Sequence, residues 1–211
     1  LQAKVITPDT AQDIEAYYES KKGQSTNRLF IVFGILGAIL IGLGIILIVA
    51  HNWDKLPRTS KAILAFIPML IGQAACIFTL LKKPESIAWR ESASAFLFFS
   101  VGACMALISQ IYNLPGELAP FLFIWMLLCL PVVYVMRSSI TSLLYLIGIT
   151  YYGVEHGYGR DVITEQYWYW LLLLAGLPYY YLLVKNKPNS NFTSFHHWMV
   201  PLSLIITLGT V

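Results

Sequence analysis

One stretch of the chain constrains its fold more than any other. Residues 29–50 read LFIVFGILGAILIGLGIILIVA and contain no charged or polar side chain. An α-helix over this run would be about 33 Å long, and the hydrocarbon core of a bilayer is about 30 Å thick. The run is too long, and starts too far along the chain, to be a cleaved signal peptide. It therefore predicts a permanent transmembrane helix.

The rest of the sequence repeats this pattern. Only 12% of the 211 residues are charged, against about 25% in a typical soluble domain. Further apolar runs predict spans at about 62–81, 93–112, 118–136, 140–154 and 167–184, and a partial span at 197–211. The run at 140–154 is marginal, because a span needs about 20 apolar residues. The predicted fold class is all-α, with a polytopic transmembrane bundle over 29–211.

Residues 1–28 are the part that resembles soluble protein. Thr7 followed by Pro8 is typical of a helix start, and Ala11, Ile14 and Tyr18 then recur at helical spacing. We therefore predict a short amphipathic helix over about 8–20, followed by a basic collar. Since the chain starts with Leu and ends within an apolar run, we expect it to be a fragment of a longer protein.

The orientation follows from Lys and Arg, which concentrate on the cytoplasmic side of membrane proteins. Ten lie on the side of the N-terminus and four on the opposite side. This count predicts a cytoplasmic N-terminus. The formal net charge is +3, without a long basic run, so the expected partners are the lipid bilayer and a second copy or another membrane protein, and no nucleic acid.

Small residues predict where helices approach each other closely, because lipid offers no hydrophobic drive for helix association. We expect two central packing helices, marked by Gly34, Gly37, Ala38 and Gly42 in the first span and by Gly102 and Ala106 in the third. A homodimer contact along Gly34–Gly42 is the alternative. The three cysteines each fall in a separate apolar run and lack a metal-type spacing, so we interpret them as small core residues.

Two stretches resemble a known family. His51-Asn52-Trp53-Asp54 follows the glycine-rich first span, and residues 109–116 read SQIYNLPG at the end of the third. Both are similar to signatures of the bacterial membrane-protein family called domain of unknown function 2157, and the resemblance covers roughly residues 5–150. It implies a multi-span inner-membrane protein without an established activity, and so gives no catalytic residues and no cofactor.

The predicted orientation places both motifs, and the loop after residue 154, on the extracytoplasmic side. We define the polar cap as the side chains expected to converge there: His51, Asn52, Trp53, Asp54, Gln110, Tyr112, Asn113, Glu117, Glu155 and His156. We interpret the cap as a binding surface of a non-enzymatic binding, sensing or assembly protein.

Three alternatives stay open. A transporter or transporter subunit would need polar groups near the midplane, where the apolar runs carry no charge. An extracytoplasmic metal or haem site could use His51 and His156 with Asp54 or Glu155, although their spacing does not favour one. Ser109 near His51 would be the candidate pair for a hydrolase, which is the weakest of these hypotheses.

Overall fold

A computed structural model describes residues 7, 9–18, 37, 40, 44, 47, 51, 53–157 and 167–209. All regular secondary structure in these residues is helical, which confirms the predicted fold class. The chain divides into two compact units, Leu1–Leu56 and Pro57–Val211.

The first unit contains the N-terminal helix that the sequence predicts, here α1 over residues 9–18. Thr7 caps it: its Oγ1 accepts a hydrogen bond from the Thr10 N–H at 3.3 Å, which satisfies one of the donors left open at a helix start. The described residues of the first apolar run are helical as well. The unit closes with a short 3-10 turn, Trp53–Lys55.

The described part of the second unit contains six further helices. They are α2 (Arg58–Lys82), α3 (Ile87–Tyr112), α4 (Leu118–Met136), α5 (Ser139–Gly157), α6 (Tyr167–Asn186) and α7 (Asn191–Leu208). Each of the helices α2, α3 and α4 is joined to the next one by two to five residues, and four residues join α6 to α7. Helices joined by such short connections run antiparallel. We call the end at which α3 ends and α4 begins the motif end. The opposite end, at which α2, α4 and α6 finish, is the basic end.

Three of these helices, α2, α3 and α4, are long and apolar enough to cross a membrane. Small residues let α2 lie close to α3: Ala65, Gly72 and Cys76 are buried, and a Cβ on Gly72 would be 3.1 Å from the Leu97 Cα. The exposed side of α2 is apolar, with Leu70 and Ile77 both more than half exposed. Such a surface is suited to lipid rather than water.

The central helix of the second unit is α5, the run that the sequence marks as the weakest span. It packs against α3, α4, α6 and α7. Its Tyr145 and Ile149 are almost fully buried, as is Met126 of α4. Close approach to α7 depends on Gly153, where a Cβ would be 3.0 Å from the Thr207 Cγ2. Because α5 packs against four other helices, it can be more polar than a helix that mostly faces lipid.

Candidate functional site

The motif end is built around the turn that ends α3. Asn113 adopts a left-handed conformation with φ 49°, which asparagine tolerates better than most residues. The Leu114 N–H then donates to the Ser109 carbonyl at 2.9 Å, and the Ser109 hydroxyl donates to the Leu114 carbonyl at 3.3 Å. These bonds fix the turn that leads into residues 115–117.

An open pocket of about 650 Å³ lies beside this turn. Its lining includes three members of the polar cap, Gln110, Asn113 and Glu117. Ser109 and apolar residues of α3 and α4 also line it. The three cap members are exposed. The pocket therefore presents two amides and a carboxylate to a ligand, which suits recognition of a polar group by hydrogen bonds.

In the described part of the second unit, the other members of the polar cap are not part of the pocket lining. Tyr112 is 49% exposed. Glu155 is exposed in the last turn of α5, which lies at the motif end. His51, Trp53 and Asp54 belong to the first unit, whereas Asn52 and the His156 side chain lie outside the described residues. Convergence of the whole cap therefore stays a prediction.

The predicted packing residues are described only in part. Gly34, Ala38 and Gly42 lie outside the described residues, and Gly37 is helical. In α3, Gly102 is buried, and a Cβ there would be 2.5 Å from two atoms of the Trp125 ring. Ala106, one turn further, is exposed and lines the pocket at the motif end.

A second polar cluster, at the basic end, is not predicted by the sequence analysis. Glu91 in α3 is only 6% exposed. Its Oε1 accepts a hydrogen bond from the Ser139 N–H at 2.9 Å. Its Oε2 accepts from the Ile140 N–H at 2.8 Å and from the Ser138 hydroxyl. The carboxylate of α3 therefore caps the start of α5, where the backbone donors and the helix dipole favour a negative charge.

Polar contacts continue from the start of α5 into α6 and α7. The Ser139 hydroxyl lies 3.1 Å from the Tyr179 hydroxyl. His196, fully buried, has its Nδ1 at 2.8 Å from the Phe192 carbonyl and its Nε2 at 2.9 Å from the Ser142 hydroxyl. Since a carbonyl can only accept, these contacts assign the proton to Nδ1 and make Nε2 the acceptor from Ser142. The cluster thus joins four helices.

Sequence reasoning missed this cluster because its partners are far apart along the chain. Glu91 is separated from its three partners by 47 to 49 residues. One local signal was available: Ser138 precedes α5, Ser139 begins it, and its first turn has no acidic residue, so a carboxylate from elsewhere could cap it.

The described residues give no structural support for metal or thiol chemistry. Among them, no group of three His, Cys, Asp or Glu side chains is placed to hold a metal ion. Cys76, Cys104 and Cys129 are buried and unpaired with one another. The described geometry thus has exposed polar side chains at the motif end and a buried polar cluster at the basic end.

A family model described as Predicted membrane protein (DUF2157) matches residues 1–142, out of 211 in the chain. The chain belongs to this family. The matched region includes the turn at the motif end, Glu91 and the first residues of α5. Comparisons with curated proteins and with solved structures gave no match.

Proposed function

We propose that this protein is a non-enzymatic binding, sensing or assembly protein of the bacterial inner membrane, and that it recognises a lipid or partner protein through the members of the polar cap that lie at the motif end of the second unit. The observation that carries the proposal is the pocket lined by Gln110, Asn113 and Glu117. These side chains are exposed on a turn that backbone hydrogen bonds hold in place. A fixed turn reduces the entropy lost when a ligand binds.

The charge distribution supports an extracytoplasmic position for this pocket. In the second unit, the described cations at the basic end are Lys82, Lys83, Arg90, Arg137, Lys185 and Lys187. The described cations at the motif end are Arg58 and Lys61. Since Lys and Arg are enriched on the cytoplasmic side, the basic end belongs in the cytoplasm, as does the N-terminus.

The proposal is tested by two substitutions that remove recognition groups but preserve the turn. Asn113→Gly keeps a residue that readily adopts positive φ and deletes the amide, and Gln110→Ala keeps a good helix former. With a photoreactive residue at position 118, we expect the double variant to reduce cross-linking to the bound lipid or protein about tenfold. Two lost hydrogen bonds, at about 0.5–1.5 kcal/mol each, account for that factor.

A photoreactive residue at Glu85, which is exposed at the opposite end, is the matched control. Its cross-linking pattern should not respond to the double variant. Equal cross-linking at position 118 in the wild type and the double variant would contradict binding at the polar cap. Substrate-dependent flux in proteoliposomes of the full-length protein would contradict a role limited to binding and favour a transporter.

A further inference from the structure

A second pocket lies at the basic end, between α3, α4 and α6. It has a volume of about 390 Å³ and is partly open. Its lining includes three cationic side chains, Arg90, Arg137 and Lys187. They come from different places in the chain, since Arg90 lies in the first turns of α3, Arg137 ends α4 and Lys187 follows α6.

In the described part of the chain, the cations that line this pocket outnumber the carboxylates beside it. Within the described ranges no Asp or Glu forms an ion pair with Arg90, Arg137 or Lys187. The neighbouring carboxylate, Glu91, accepts hydrogen bonds from Ser138, Ser139 and Ile140 at the start of α5, and its single negative charge offsets only part of the three positive charges. Three cations around one cavity therefore favour an anion inside it.

Arg90 provides an independent indication of a ligand. Its Nε is buried and has no hydrogen-bond partner in the described part of the chain. A buried donor without a partner is costly, and native proteins rarely leave one unsatisfied. Arg90 also lines the pocket, so a shift of its guanidinium would bring this donor to an anionic oxygen there.

The walls of the pocket change from polar to apolar along α6. Lys187 and Asn186 lie at the end of the helix, whereas Leu182 and Leu183 line the pocket one turn deeper. Leu182 is 47% exposed and Leu183 is buried. In a membrane, this gradient places the cations at the level of the headgroups and an exposed leucine at the level of the acyl chains.

We propose that this pocket binds the phosphate of an anionic phospholipid from the same leaflet. Arg90, Arg137 and Lys187 contact the headgroup, and the acyl chains pass Leu182. Basic pockets between transmembrane helices on the cytoplasmic side commonly bind such headgroups. The apolar wall argues for a lipid over a free phosphate ion, which would gain nothing from it. This site is separate from the pocket at the motif end and does not depend on its function.

The test measures lipids retained by the purified full-length protein, by native mass spectrometry after exchange into detergent with phosphatidylglycerol or phosphatidylcholine. We expect selective retention of phosphatidylglycerol. Arg90→Met keeps most of the side-chain volume and Lys187→Gln alters an exposed residue, so neither should unfold the protein. Each should lower the retention of phosphatidylglycerol about fivefold, as expected for one cation near a membrane surface.

Lys82→Gln is the matched control, because it removes the same charge from an exposed position at the same end outside the pocket lining. Its retention should equal that of the wild type. Equal retention of the two lipids by the wild type, or equal loss in Lys82→Gln and Lys187→Gln, would overturn the proposal. Displacement of phosphatidylglycerol by millimolar inorganic phosphate would overturn the lipid as occupant and assign the pocket to free phosphate.

Discussion

Glu91 differs in its surroundings from the other carboxylates that the structure describes in the second unit. Glu85, Glu117 and Glu155 are exposed, whereas Glu91 is 6% exposed. A charge can be buried at acceptable cost only when hydrogen bonds replace its hydration. Three hydrogen bonds from residues 138–140 do so here, and they also fix the point at which the chain turns from α4 into α5.

We predict that Glu91→Ala lowers the free energy of unfolding by about 2–4 kcal/mol. The substitution removes a cap and leaves the Ser139 and Ile140 N–H groups without their acceptor. Glu91→Gln should lose less, because its amide oxygen can still accept one of these bonds. Unfolding of the detergent-solubilised protein by sodium dodecyl sulfate measures both changes. Glu85→Ala is the control, and equal losses for Glu85→Ala and Glu91→Ala would show that burial of Glu91 contributes nothing.

Gly102 offers a second test at the level of one residue. A Cβ at this position would be 2.5 Å from the Trp125 ring, and that ring also donates from Nε1 to the Phe98 carbonyl at 2.9 Å. We predict that Gly102→Ala lowers the thermal unfolding midpoint, at a cost of about 1–3 kcal/mol for overpacking. Gly116→Ala, where a Cβ meets nothing within 4 Å, should leave it unchanged. The same midpoint for both variants would argue against tight packing of α3 on α4.

At the scale of helices, the polarity of α5 reflects its position. The run at 140–154 is short for a transmembrane segment, and it also carries several hydroxyl groups. In the structure many of them face other helices: Thr150 Oγ1 lies 2.6 Å from Ser203 Oγ in α7, which is in turn 2.8 Å from the Tyr169 hydroxyl in α6. Hydroxyls of this kind link helices where apolar contact alone has no preference over lipid.

The strength of the contact between α5 and α7 can be determined by a double-mutant cycle on the free energy of unfolding. For Thr150→Val and Ser203→Ala we predict a coupling energy of about 0.6 kcal/mol, the average for interhelical hydrogen bonds in a membrane protein. Thr79→Val with Ser203→Ala is the control, because the Thr79 hydroxyl donates only to the Ala75 carbonyl of its own helix, and these two should be additive. Additive effects for Thr150 and Ser203 as well would mean that α5 and α7 are not joined at this point.

Features set by neighbouring residues can be predicted from this sequence, whereas features set by distant residues cannot. The ends of α3 and α4 follow from local chemistry: Asn113 before Leu-Pro-Gly ends α3, and the apolar run up to Met136 defines α4. The pocket at the motif end contains Gln110, Asn113 and Glu117 because they are close along the chain. The cluster around Glu91 and His196 depends on contacts across 47 to 54 residues, and no local pattern specifies such contacts.

For the molecule as a whole, the two ends of the second unit differ in their number of described Lys and Arg side chains. This difference predicts the orientation of the unit in the membrane. Glu85 and Gly116 lie in exposed turns at opposite ends, so cysteines introduced there report on the two sides. In a cysteine-free background, we expect a membrane-impermeant maleimide to label Gly116→Cys in intact cells and Glu85→Cys only after permeabilisation. The reason is that the cluster of cations at the basic end resists translocation. Labelling of Glu85→Cys in intact cells would reverse the orientation. It would also move the pocket at the motif end to the cytoplasm and the cationic pocket to the outer leaflet.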